Sequence, residues 1–152
     1  MSAADSMLRI RDLSVVYEID GRELFAVKNA FIDLKMGEGV GIVGESGSGK
    51  STFARAMMAL LPATNARVAS GVMEIDGVSY DMVDKSGMAR LRGRTFAMVF
   101  QDPLSYLNPL MTIRSQIVEA IRLNDPSANV DHRVRELLDL VRLPQRCLTA
   151  YP

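Results

Sequence analysis

The run Gly44-Glu45-Ser46-Gly47-Ser48-Gly49-Lys50-Ser51 fits Gly-x-x-x-x-Gly-Lys-Ser at every fixed position and is followed by Thr52. It constrains the fold strongly, because a phosphate-binding loop of this kind works between a strand and a helix. Polyphosphate needs many short-range donors at once, and glycines let backbone N–H groups turn inward with no side chain in the way. Lys50 adds a point charge for β- and γ-phosphates, and Ser51 offers a hydroxyl to Mg²⁺. A helix that starts near Lys50 points the positive end of its dipole at the same anion.

Both flanks suit the loop. Val40-Gly41-Ile42-Val43 is a short apolar run that predicts a buried parallel strand. Phe53 to Leu61 is rich in helix formers, and Pro62 supplies a stop.

The remaining composition narrows the class. With 152 residues, 48% hydrophobic and 24% charged, the chain is long enough to bury a core. Eighteen basic residues balance eighteen acidic ones, so no general field draws a nucleic acid, and contact with polyanions must be local. One cysteine, Cys147, and one histidine, His132, exclude an intrachain disulfide and a zinc cluster and fit a reducing compartment. Met1 to Val16 carries Asp5, Arg9, Arg11 and Asp12 and has no signal-peptide core. No apolar run is long enough to cross a bilayer, so membrane association is expected through a partner.

Taken in order, Leu8 to Ile19 predicts a strand in an antiparallel layer, Asp20-Gly21 a turn and Phe25 to Leu34 the return strand. Pro62 to Ser70 reads as a polar loop. Gly71 to Ile75, the turn Asp76-Gly77 and Val78 to Tyr80 make a hairpin. Ser86 is the expected cap of a short helix ending near Gly93, and Thr95 to Phe100 reads as a second buried strand, stopping at Gln101-Asp102-Pro103. Beyond Pro109 the pattern is helical. Thr112 caps a helix with Ile113, Ile117, Ala120 and Ile121 inward, and a second helix from about Asp131 turns Val134, Leu137, Leu138 and Val141 inward, with Pro144 as its stop.

Two further residues can carry chemistry. Gln101 stands at a strand end, where its amide can complete a Mg²⁺ shell or orient a water, or merely bond within the loop. Tyr17 can stack on a base or serve as a half-buried strand aromatic. The methionines, Met57, Met58, Met98 and Met111 among them, read as core filling, His132 as solvated in a first helical turn, and Arg90, Arg92 and Arg94 as a solvated face.

Tyr17, the loop and Phe96-Ala97-Met98-Val99-Phe100-Gln101-Asp102-Pro103-Leu104-Ser105-Tyr106-Leu107-Asn108-Pro109 together resemble the ATP-binding subunit of ABC transporters, in the dipeptide, oligopeptide and nickel importer branch. The likeness runs from about Leu8 to Pro152. It implies an α/β fold: a P-loop NTPase core of ABC type with an N-terminal antiparallel β layer and the start of a helical subdomain, an incomplete domain. Residues 1–152 then form a partial nucleotide-binding domain, with the β layer and core over about 7–101 and the Q-loop and helical start over about 102–152. The resemblance makes Tyr17 the adenine-stacking aromatic and Gly44, Glu45, Ser46, Gly47, Ser48, Gly49, Lys50, Ser51 and Thr52 the phosphate loop. Gln101 becomes the glutamine that senses the γ-phosphate and, with Ser51, Mg²⁺. Implied cofactors are ATP and Mg²⁺. Implied partners are transmembrane permease subunits and a second ATP-binding subunit, on the cytoplasmic face of the plasma membrane, with no nucleic acid and no direct membrane insertion.

The sequence departs from the family in holding no Ser-Gly-Gly-Gln signature, no apolar strand ending in Asp-Glu and no later switch histidine. Asp76 precedes Gly77 and reads as a turn residue. The expectation is an N-terminal part of a longer subunit that binds ATP without turnover by itself, with Val40 to Val43 uncovered and the isolated chain poorly stable. The competing classes are a small P-loop kinase or phosphotransferase, which needs an acceptor pocket and a basic lid, and a non-catalytic interaction fragment with a vestigial site.

Overall fold

The structure, a computed structural model, describes residues 6–152, apart from the Leu104 side chain. Asp5 and the rest of residues 1–5 lie outside the described residues. The chain forms two compact units, one running through Arg92 and the other spanning Gly93–Pro152.

The first unit is built on an antiparallel sheet of order β2-β1-β3-β4. Its strands are β1 (Ser6–Ile19), β2 (Arg22–Lys35), β3 (Ala66–Ile75) and β4 (Val78–Asp81). Tight turns set both hairpins: Asp20 and Gly21 have φ of 51° and 72°, and Asp76 and Gly77 have 47° and 79°. Positive φ at both central residues matches the twist of the flanking strands, so Asp-Gly at each place pairs Ile19 with Arg22 and Ile75 with Val78. The turn assignment of Asp76 therefore stands.

β1 is the central strand in burial. Ile10, Leu13, Val15 and Val16 are buried, and Met73, Met82, Met88 and Leu91 add to the core. The simple alternation of β1 breaks where register shifts occur between Ile10 and Leu13 and between Leu13 and Val15. Buried Ser14 is satisfied there, its hydroxyl accepting from the Asn29 backbone N–H at 3.1 Å and donating to the Asn29 side-chain oxygen at 3.2 Å.

Several expectations shift at this level. β3 begins at Ala66, inside the expected loop, because pairing of Tyr17 with Ala66 and of Val16 with Arg67 extends the ladder through polar residues. The short helix α2 (Lys85–Ala89) is capped by Asp84, whose carboxylate accepts from the Ser86 N–H at 3.0 Å, so Ser86 lies inside the helix. The helix after the phosphate loop, α1 (Lys50–Met57), stops four residues short of Leu61. Ala59 takes a φ of 50°, the Leu60 N–H bonds back to the Arg55 carbonyl at 2.8 Å and the Ala59 N–H to the Ala56 carbonyl at 3.0 Å. This is a Schellman ending with alanine where glycine is usual.

Val40–Val43 leads into the loop without regular secondary structure; it pairs with no strand among the described residues and is exposed, Val43 to 92%. A parallel strand is buried only when ladder partners and covering elements flank it; the apolar run states a preference that these residues do not satisfy. In the second unit Thr95–Phe100 forms no strand either: Thr95 lies in a turn, Phe96 makes only an isolated bridge, its carbonyl accepting from the Gly93 N–H at 2.8 Å, and Val99 is 91% exposed.

The second unit continues through a 3-10 turn, Pro103–Tyr106, into α3 (Ile113–Asn124) and α4 (Val130–Leu140), with a last 3-10 turn at Gln145–Thr149. Thr112 caps α3, accepting from the Ser115 N–H at 3.2 Å, and Asn129 caps α4 through the His132 N–H at 3.1 Å. Ile121, Val134 and Leu138 are buried between them. Val141 is exposed, because the helix ends there: Arg142 turns to a φ of 57° before Pro144 is reached. No helix of the described residues is long and apolar enough to cross a membrane.

Candidate functional site

Gly49 is the joint between loop and helix. It serves as N-cap of α1 with φ 92° and offers no side chain for capping. The first intrahelical bond runs from the Phe53 N–H to the Gly49 carbonyl at 2.8 Å, so the N–H groups of Lys50, Ser51 and Thr52 have no acceptor within the helix. Buried Phe53 and Ala56 anchor the other face of α1.

The Lys50 side chain folds back over the loop that precedes it. Its ammonium donates to the Gly44 carbonyl at 2.8 Å, the Glu45 carbonyl at 2.6 Å and the Ser48 hydroxyl at 3.3 Å. Three acceptors for three donors place one full positive charge inside the curl of residues 44–48. Ser51 is exposed on the first turn of α1 and Thr52 is half-buried. Gly47 supplies a second left-handed corner, φ 82°, in open space.

The sheet holds this loop from behind. A Cβ built on Gly49 would lie 2.3 Å from the Ala26 carbonyl oxygen, so backbone of β2 occupies the space a side chain would need. Ala26 sits at the register shift between the pairs Val15–Val27 and Val16–Phe25. Tyr17, the next residue of β1, pairs with Leu24, on the order of 7 Å from Ala26 along and across the sheet. The register thus brings half-buried Tyr17 to the part of the sheet that carries the loop. Beside the loop lies a hollow of about 650 Å³ whose walls include Ala30, Phe31, Ile42, Val43, Lys50 and Phe53.

Gln101 belongs to the second unit, where it is exposed and follows Phe100 in an irregular segment. Two features order the stretch around it. The Phe100 and Tyr106 rings stack at a centroid distance of 3.8 Å, closing residues 101–105 into a loop. Gln116 of α3 clamps the next turn, donating to the carbonyls of Asn108 and Met111, each at 3.1 Å, and accepting from the Asn108 N–H at 2.9 Å. Sequence reasoning passed over Ala26 and Gln116. Ala26 carries no local signal because its contact with Gly49 joins residues far apart in the chain, and Gln116 carries none because its amide bonds to backbone groups of an irregular turn, which no side-chain pattern announces.

The residues fit a nucleotide polyphosphate with Mg²⁺: a loop seated closely on β2 at Gly49, a charge at Lys50, helix-start N–H donors and the hard hydroxyl oxygen of Ser51. Fold and loop define a P-loop NTPase core of ABC type. A sequence model of the ABC transporter family matches residues 27–150, and the chain belongs to that family. It is 37% identical over 155 residues to the glutathione import ATP-binding protein GsiA of Salmonella paratyphi A, covering 96% of this chain and 25% of that protein. It is 39% identical over 150 residues to the peptidoglycan transport ATP-binding protein YejF of Agrobacterium fabrum, covering 96% and 28%. Among solved structures it is similar to MJ0796, a bacterial ABC transporter cassette determined as a dimer bound to ADP and Pi. There the TM-score is 0.78 at 25% identity, over 96% of this chain and 62% of that one. The chain thus spans about a quarter of the length of the curated relatives it matches.

Proposed function

We propose that this chain is the nucleotide-binding part of an importer-type ABC protein, taking Mg²⁺-ATP at residues 44–52 so that ATP binding and hydrolysis drive uptake of peptides or a related solute. The observation that carries the reading is the Lys50 ammonium held over the loop by three oxygens, with Gly49 seated on β2 behind it. Lys50 and the first N–H groups of α1 offset phosphate charge, Ser51 and Gln101 are the assigned Mg²⁺ ligands, and Tyr17 is the assigned stacking face for adenine. The importer assignment is supported by the roles of the relatives, glutathione import and peptidoglycan transport.

The reading assigns to this chain binding rather than turnover. Its sequence holds no Asp-Glu at the end of an apolar strand and no Ser-Gly-Gly-Gln, and attack by water depends on positioned groups of that kind. Permease subunits and a second ATP-binding subunit are the proposed partners, on the cytoplasmic face of the plasma membrane.

Titration of Mg²⁺-ATP into the chain and into Lys50→Ala tests the cradle. Loss of a charged hydrogen bond, about 1.5–3 kcal/mol, predicts affinity weaker by about 10- to 100-fold. Equal affinities would contradict the assignment.

A further inference from the structure

Within residues 44–52 only Glu45 and Lys50 carry charge, so the side chains of the anion-binding loop sum to zero. The first turn of α1 adds no acidic residue, which leaves Glu45 as the loop's own source of negative charge. Its backbone carbonyl takes the shortest of the three Lys50 bonds, 2.6 Å, and fixes this residue beside the ammonium. Its side chain is exposed, and no ion pair among the described residues involves it. A loop shaped for polyphosphate therefore holds at its rim an exposed carboxylate with no ion-pair partner among the described residues.

We propose that Glu45 is a specificity-determining residue, which makes the loop discriminate against metal-free polyphosphate in favour of the magnesium complex. The inference rests on the nucleotide-binding reading above and deepens it. Metal-free ATP carries roughly four negative charges and Mg²⁺ cancels about two of them, so a carboxylate at the rim of the loop repels the free nucleotide about twice as strongly. Lys50 and the helix dipole attract both forms. Glu45 subtracts more from the free one and so widens the gap between them. The effect acts through exposed charges, hence it is screened as the Debye length falls from about 30 Å at 0.01 M salt to about 3 Å at 1 M.

The test is calorimetric titration with ATP in chelator and with Mg²⁺-ATP, using the wild type, Glu45→Gln and Glu45→Lys. Both variants keep the backbone carbonyl that holds Lys50. At about 0.01 M salt, Glu45→Gln narrows the preference for the magnesium complex by about fourfold, chiefly by tightening the metal-free form. Glu45→Lys narrows it by more than about tenfold, and both differences vanish near 1 M salt. A preference identical in all three proteins at low salt, or a change that survives 1 M salt, overturns the inference. Lys50→Ala separates the two levels. If the wild type binds and Lys50→Ala weakens binding while the Glu45 variants change nothing, the inference alone falls. If neither the wild type nor Lys50→Ala binds nucleotide, the nucleotide-binding reading falls with it.

Discussion

A methyl group on Gly49 would meet the Ala26 carbonyl oxygen at 2.3 Å, and the φ of 92° is one that side chains rarely adopt. Gly49→Ala therefore combines overpacking against rigid backbone with left-handed strain, for a loss of about 2–5 kcal/mol and of Mg²⁺-ATP affinity. Gly47→Ala is the control. Its φ is 82° but the space is open, so only the strain, about 1–2 kcal/mol, is expected. Urea denaturation of the two variants checks the difference, and equal losses would count against the close approach to β2. The motif fixes Gly49, and Gly47 falls at one of its variable positions. The sequence could not show that one needs conformational freedom alone while the other also needs its missing side chain, because the Ala26 contact joins residues far apart in the chain.

The elements were legible where local chemistry specifies them. Asp20-Gly21 and Asp76-Gly77 fixed two hairpins, and Thr112 was read as the cap it is. Helix ends were less legible, since α1 and α4 end on Ala59 and Arg142, which take left-handed φ without the glycine that announces such an ending. At Ala59 the structure implies a stabilising change. Ala59→Gly removes the left-handed cost, offset partly by the greater freedom of glycine in the unfolded chain, for a gain of about 0.5–1 kcal/mol and a Tm higher by about 2–3 °C. A Tm that falls would contradict the αL ending of α1.

For the molecule as a whole, the apolar runs Val40–Val43 and Thr95–Phe100 show what a sequence pattern can and cannot specify. Both read as buried strands; neither forms a strand among the described residues, and both leave a valine almost fully exposed. Hydrophobicity expresses a preference for burial, whereas burial itself depends on neighbours that a pattern does not supply. The phosphate loop differs, because its donors, its lysine and its contact with β2 are all contained in the first unit. On the proposed reading, that self-sufficiency lets the chain contact nucleotide by itself. Backbone amide chemical shifts, recorded as Mg²⁺-ATP is added to the isotopically labelled chain, test it most directly. The account predicts that the largest changes fall on Gly47, Gly49, Lys50 and Ser51 and are lost in Lys50→Ala. Saturable changes that spare these amides, or that persist in Lys50→Ala, would contradict it.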